Sequence, residues 1–155
     1  MPKEEDAPAP IVVPCLSITA AWAFFVCAGK APKDVENRTW NTKRRGTFLV
    51  HVGKKLALDD YRQACAFALS TGVLRADLPA FEALRLGGIV GATELLDVLT
   101  PASKSTLPWY EGEFGFVLGR RIALPFRPLK GARQFFPVEV TQAEAKTLRA
   151  AGLLQ

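Results

Sequence analysis

The chain is poor in the residues that most often carry chemistry. Of its 155 residues, one is histidine, three are cysteine and one is methionine. Cys15, Cys27 and Cys65 are scattered, an odd number with no close-spaced pair. This excludes a disulfide framework or a cysteine-based zinc site and suits a reducing compartment. Cys27 and Cys65 stand in apolar helical surroundings, where a thiol acts as a small core side chain. A lone histidine leaves no paired imidazoles for a ribonuclease. His51, near the end of a strong strand, is expected to be a hydrogen-bonded structural ring. No apolar run approaches the ~18 residues of a membrane span. The opening MPKEEDAPAP is acidic and Pro-rich rather than basic and apolar, so no secretory signal is read there. The sequon Asn37-Arg38-Thr39 is therefore taken as coincidental. G-x-G-x-x-G, the P-loop, H-E-x-x-H and G-x-S-x-G are also missing. Neither a cofactor nor a metal is expected, and no internal repeat is visible.

What is present is an ordinary globular composition, 49% hydrophobic and 23% charged, at a length that suits one domain. The formal charge is +5. Residues 1–10 hold one lysine against three acids, net −2, so the remainder carries +7. Residues 29–55 hold eight cations against Asp34 and Glu36, net +6, and residues 118–133 hold five cations and no acid. Two basic segments brought together would form one positive face, the footprint of a polyanion partner.

Residues 1–10 read as a disordered acidic, Pro-rich tail. Ile11 to Ile18, broken by Pro14, is a short strand or an extended lead-in. Ser17 or Thr19 is positioned to cap the helix AAWAFFVCAG, apolar nearly all round and stopped by Gly29. Asp34 to Trp40 alternates, with Asp34, Glu36, Arg38 and Trp40 on one face. TFLVHV is a strand, and Asp59 or Asp60 opens a second helix, YRQACAFALSTG. Gly87-Gly88 leads into IVGATELLDVL, which reads as a long strand where Gly91 permits a bend or bulge. Phe114 to Leu124 is another, followed by a turn-rich link through Pro125, Pro128 and Gly131. Gln134 to Val140 is the last strand. Thr141 and Glu144 form a capping box for a terminal helix over residues 141–155. Five or six strands with helices outside them predict an α+β fold built on a small, partly closed β-barrel.

The stretch CLSITAAWAFFVCAGKAPKDVENRTW followed by TKRRGTFLVHVGKK resembles the opening of the ASCH domain (activating signal cointegrator homology) of the PUA-like superfamily. That family has a tryptophan-bearing helix, a G-x-K-x-x-E-x-R signature and a strand ending in histidine and lysines. GGIVGATELLDV, a lone Trp109 before GFVLG, and LPFRPLKGARQFFPV follow in the family's order, so the resemblance covers residues 12–140. The stretch between Gly29 and the signature lysine, Lys30-Ala31-Pro32, is two residues longer than usual. Lys33 is the best match to that lysine, with Lys30 its rival. The resemblance implies a small PUA-like β-barrel with flanking helices over residues 11–140, and a cleft holding the signature residues. It further implies binding of RNA or a modified nucleotide, or hydrolysis of acylated cytidines or RNA. The family's hydrolases carry threonine where this chain has Glu36.

The chemistry of the residues agrees with a base-reading cleft. Arg38 offers a planar fork of donors, and Lys43, Arg44, Arg45, Lys54, Lys55, Lys130 and Arg133 offer positive field. Trp40 and Trp109 offer surfaces for stacking a base. Glu36 is unhelpful for gripping phosphate but can accept hydrogen bonds from a base amino group. Were the domain a hydrolase, Lys33 would act as base, Glu36 would activate water and Arg38 would hold the oxyanion. The expectation is thus a cytoplasmic, monomeric RNA- or nucleotide-binding domain, with a small hydrolase as the alternative.

Overall fold

A computed structural model describes residues 9–30 and 33–155. Residues 1–8 of the expected tail, and Ala31-Pro32 of the longer signature loop, lie outside the described residues. The fold is α+β. In chain order it runs β1 (Val12–Ser17), α1 (Ala20–Cys27), β2 (Val35–Arg38), β3 (Gly46–Val52), α2 (Leu58–Ser70), β4 (Gly88–Leu99), β5 (Phe114–Pro128), β6 (Phe135–Glu139) and α3 (Gln142–Ala150). Short 3-10 turns occupy Arg75–Asp77, Phe81–Ala83 and Pro101–Ser103.

One six-stranded sheet takes the order β2-β5-β4-β3-β1-β6, with β1 and β3 parallel and the other pairs antiparallel. Strand periodicity divides its side chains. Leu16 and Val50 join one core cluster, while their neighbours Cys15 and Leu49 join another on the opposite face. The helices cover these two faces. Helix α1 is apolar all round because it lies between two layers. Ala20, Ala23 and Val26 pack on the sheet, and Ala21 and Phe25 pack against Ala64 and Ala68 of α2. On the other face Ala145 and Leu148 of α3 cover Val13, Leu49, Ile89 and Leu124. The Thr141–Glu144 capping box of α3 is formed in both directions.

The sheet does not close into a barrel through backbone pairing, since β2 and β6 are its two edges. It curls instead, and side chains span the gap. Phe116 of β5 stacks on Phe135 of β6 at 6.2 Å, and Trp40 meets both rings edge-on at 5.2 and 5.8 Å. Arg38 of β2 donates to the main-chain oxygen of Ser17 in β1 at 2.7 Å. We call this line of side-chain contacts the seam. The curl follows from bulges in the long strands, where register shifts interrupt the β4–β5 ladder three times.

Several local expectations are corrected. Strand β5 does not end at Leu124 but runs on to Pro128, because Pro125 falls in a bulge where no ladder N–H is needed. Thr19 makes no capping hydrogen bond and Ser17 belongs to β1, so neither caps α1. Asp59 and Asp60 lie in the first turn of α2 rather than at its cap, which is Ala57. Among the described residues no helix is long and apolar enough to cross a membrane.

Candidate functional site

Glu36 and Arg38 lie two residues apart on β2 and so project to one side of the sheet. Their side chains meet there, Arg38 Nη2 lying 3.4 Å from Glu36 Oε1. The other carboxylate oxygen accepts a 2.7 Å hydrogen bond from Lys33 Nζ. Lys33 also donates to the Val35 carbonyl and lies 5.4 Å from the centre of the Trp22 ring. Only 3% of the Lys33 side chain and 9% of the Glu36 side chain are exposed. The signature residues therefore form a buried chain, Lys33–Glu36–Arg38, that emerges only at Arg38, whose side chain is 20% exposed. Arg38 Nε has no hydrogen-bond partner among the described residues.

This arrangement changes the roles open to these residues. Both oxygens of Glu36 face cations, Oε2 hydrogen-bonded to Lys33 and Oε1 paired with Arg38. The cavity beside Lys33 and Glu36, lined also by Trp22, Asn37 and Glu111, measures about 90 Å³. Small-molecule sites occupy roughly 300–1,000 Å³. Trp109 is also withdrawn. Only 5% exposed, it packs against Trp22, Phe25 and Phe67, because α1 and α2 supply apolar partners that its polar neighbours in sequence do not reveal. Asn37 fixes the Trp109 loop from β2, donating to Trp109 O and accepting from Glu111 N. Trp40 belongs to the aromatic seam but keeps part of its surface open. It lines a cavity of about 560 Å³ with Arg38, Asn37, Thr39, Glu111 and Glu113.

The basic residues separate into groups. Lys43, Arg44 and Arg45 are exposed on the loop between β2 and β3. Arg44 lies over the Phe135 ring at 5.6 Å, and Arg45 faces Asp97 at 3.6 Å. Lys54, Lys130 and Arg133 come from two loops and line a single cavity of about 390 Å³, while Lys55 is exposed beside it in sequence. No carboxylate lines that cavity among the described residues. The other cations of residues 118–133 serve the fold. Arg121 donates to the carbonyls of Phe25, Val26 and Gly29, closing the end of α1. Arg127 makes two hydrogen bonds to the Glu144 carboxylate, and Arg120 reaches Gly152 O.

At the base of the same cavity stand Ser17 and His51, which sequence reasoning placed as a helix cap and a structural ring. They face each other in the parallel register of β1 and β3. Ser17 Oγ lies 2.8 Å from His51 Nδ1, and His51 Nε2 lies 2.6 Å from Leu129 O. A carbonyl can only accept, so Nε2 carries a proton. Nδ1 of the neutral ring is then the acceptor for the Ser17 hydroxyl. The signal for this pair lay in the ends of two strands whose pairing the sequence does not display. Ser17 also links the two parts of the site, since its carbonyl is the acceptor for Arg38.

Among the described residues, no group of three or more His, Cys, Asp or Glu is placed to hold a metal ion. Burial pushes the Cys15 and Cys27 thiols up to about 12. Comparison with protein-family models gives no match to this chain, and comparison with curated proteins gives none either.

Proposed function

We propose that this chain is a cytoplasmic RNA- or nucleotide-binding domain of ASCH, PUA-like type, whose curled sheet is the counterpart of the family's barrel. The observation that supports it best is the convergence of Lys54, Lys130 and Arg133 on one cavity without an opposing carboxylate. Three cations drawn from two loops produce a potential that favours phosphate. Arg38, which lines the cavity beside Trp40 and bonds the Ser17 carbonyl, supplies the planar donor. Trp40 and the Arg44–Phe135 pair on the seam supply flat surfaces where a base stacks. In this reading Lys33 and Glu36 orient Arg38 and do not touch the ligand. Hydrolysis through Lys33 and Glu36 has less in its favour, given the small volume beside them.

The test is the salt dependence of affinity for a short fluorescein-labelled single-stranded RNA, followed by anisotropy. Neutralising about four phosphates gives a slope of log affinity against log salt near −2.8, roughly a fifty-fold loss from 50 to 200 mM. Replacing Lys54, Lys130 and Arg133 together by alanine removes about 2 from the magnitude of that slope. A slope near zero, or a triple variant that binds like the parent, overturns the reading.

A further inference from the structure

We propose that Ser17 and His51 form a nucleophile–base pair, and that the cavity above them hydrolyses carboxylic esters bearing an anionic group. Three observations on separate elements meet here. First, the geometry is that of an activated hydroxyl: Oγ lies 2.8 Å from Nδ1, and the second ring nitrogen is fixed by a carbonyl at 2.6 Å. That carbonyl holds the tautomer in which Nδ1 is free to take the serine proton. Second, the pair faces a cavity of about 390 Å³, which is large enough for a small ester. Third, Lys54, Lys130 and Arg133 line the same space, so that an anionic substrate is attracted and negative charge developing beside Ser17 is stabilised. Gly131 lets the loop backbone lie against the pair. A Cβ there would stand 2.6 Å from His51 Cε1 and 2.8 Å from Ser17 Oγ.

The steps balance with water as the only co-reactant. Ser17 Oγ attacks the ester carbonyl carbon while His51 Nδ1 accepts the hydroxyl proton. The tetrahedral oxyanion collapses, the C–O bond to the alcohol breaks, and His51 returns the proton to the departing alkoxide. Water then attacks the acyl-serine with His51 again taking the proton. The acyl C–Oγ bond then breaks, His51 gives that proton to Ser17 Oγ, and a carboxylic acid is released.

The experiment uses the full chain with a fluorophosphonate probe, whose fluoride a serine nucleophile displaces, and with two esters, neutral 4-nitrophenyl acetate and the anionic half-ester 4-nitrophenyl succinate. The expected result is a covalent adduct on the peptide containing Ser17 and a higher kcat/KM for the anionic ester. Ser17→Ala abolishes the adduct, and Ser17→Ala and His51→Gln each lower kcat by about 10²–10⁴-fold. Lys130→Ala with Arg133→Ala raises KM for the succinate ester and shrinks its kcat/KM advantage over the acetate. Melting curves establish that each variant is folded, and Ser17→Ala decides the matter should His51→Gln unfold. Absence of a Ser17 adduct, or equal turnover by the parent and Ser17→Ala, overturns the proposal. The inference does not depend on RNA binding. RNA affinity without an adduct removes it and leaves the binding reading standing, and an adduct without RNA affinity does the reverse.

Discussion

Replacing Glu36 by alanine tests the buried ion chain most directly. The substitution leaves the Lys33 ammonium 3% exposed, with the Val35 carbonyl and the face of Trp22 as its remaining partners. Removing one partner of a buried pair costs about 3–5 kcal/mol, because the other charge stays desolvated. Arg38 keeps its bond to Ser17 O, so its share of the loss is small. We expect about 3 kcal/mol, which for a chain of this length lowers the melting temperature by roughly 6–12 °C. Urea unfolding followed by fluorescence of the three tryptophans gives the free energy directly. Adding Lys33→Met removes the stranded charge, and the double variant should regain about 1–3 kcal/mol over Glu36→Ala alone. A loss below about 1 kcal/mol, the worth of an exposed pair, refutes the reasoning. So does a double variant whose loss equals the sum of the two single losses.

Arg121→Met removes three hydrogen bonds, two to the Phe25 and Val26 carbonyls of α1 and one to Gly29 just beyond it, and should cost on the order of 2–3 kcal/mol in the same assay. Amide exchange should quicken in the last turn of α1, and a variant as stable as the parent would show that α1 ends without help. Thr141→Ala removes the side-chain cap of α3 and should cost about 1 kcal/mol, with unchanged melting counting against the capping box. The thiols follow a sign that can be worked out. Moving Cys15 and Cys27 from 9.0 to about 12 leaves roughly a thousandfold less thiolate at pH 8, so a thiol reagent should not modify either residue in the native chain. The folded state holds those two protons more tightly, so their contribution to stability is full below pH 9 and falls as pH rises from 9 towards 12. Rapid native modification of either residue at pH 8 would contradict the burial.

Legibility in the sequence followed the range of the physics. Features decided within a few residues could be read: the all-round apolar α1, the strand at TFLVHV, the Thr141–Glu144 box and the shared side of Glu36 and Arg38. Features decided by a distant partner could not. Pro125 breaks a strand in isolation, yet β5 carries it because the bulge against β4 asks for no N–H there. Arg121 and Arg127 swell the charge of residues 118–133, but one turns to helix carbonyls and the other to Glu144. Charge counting records the presence of a guanidinium and is silent on its direction. Trp109 sits among polar neighbours in sequence and apolar ones in space. Ser17 is the sharpest case, since only the β1–β3 register sets it opposite His51.

Ser17 also makes the two halves of the site one mechanical unit. Lys33 holds Glu36, Glu36 faces Arg38, Arg38 holds the Ser17 carbonyl across the seam, and the Ser17 hydroxyl meets His51. The links are polar, three of them hydrogen bonds of 2.7–2.8 Å and one an ion pair at 3.4 Å, and the far end of the chain is buried, so a change at Arg38 has a defined route to the imidazole. Arg38→Lys keeps the charge but removes the planar guanidinium whose Nη2 meets both Glu36 and Ser17, leaving a shorter, freely rotating ammonium. We expect the His51 ring ¹⁵N signals to shift and broaden in this variant as the Ser17 contact loosens. Thr141→Ala costs about 1 kcal/mol at the cap of α3 and touches none of these links, so it should leave those signals in place. If the two variants perturb His51 equally, the seam transmits nothing beyond general stability. If Arg38→Lys alone moves the ring, the ion chain is part of what positions the Ser17–His51 pair, and the open edge of the sheet is held to a working geometry by side chains where the backbone leaves it unpaired.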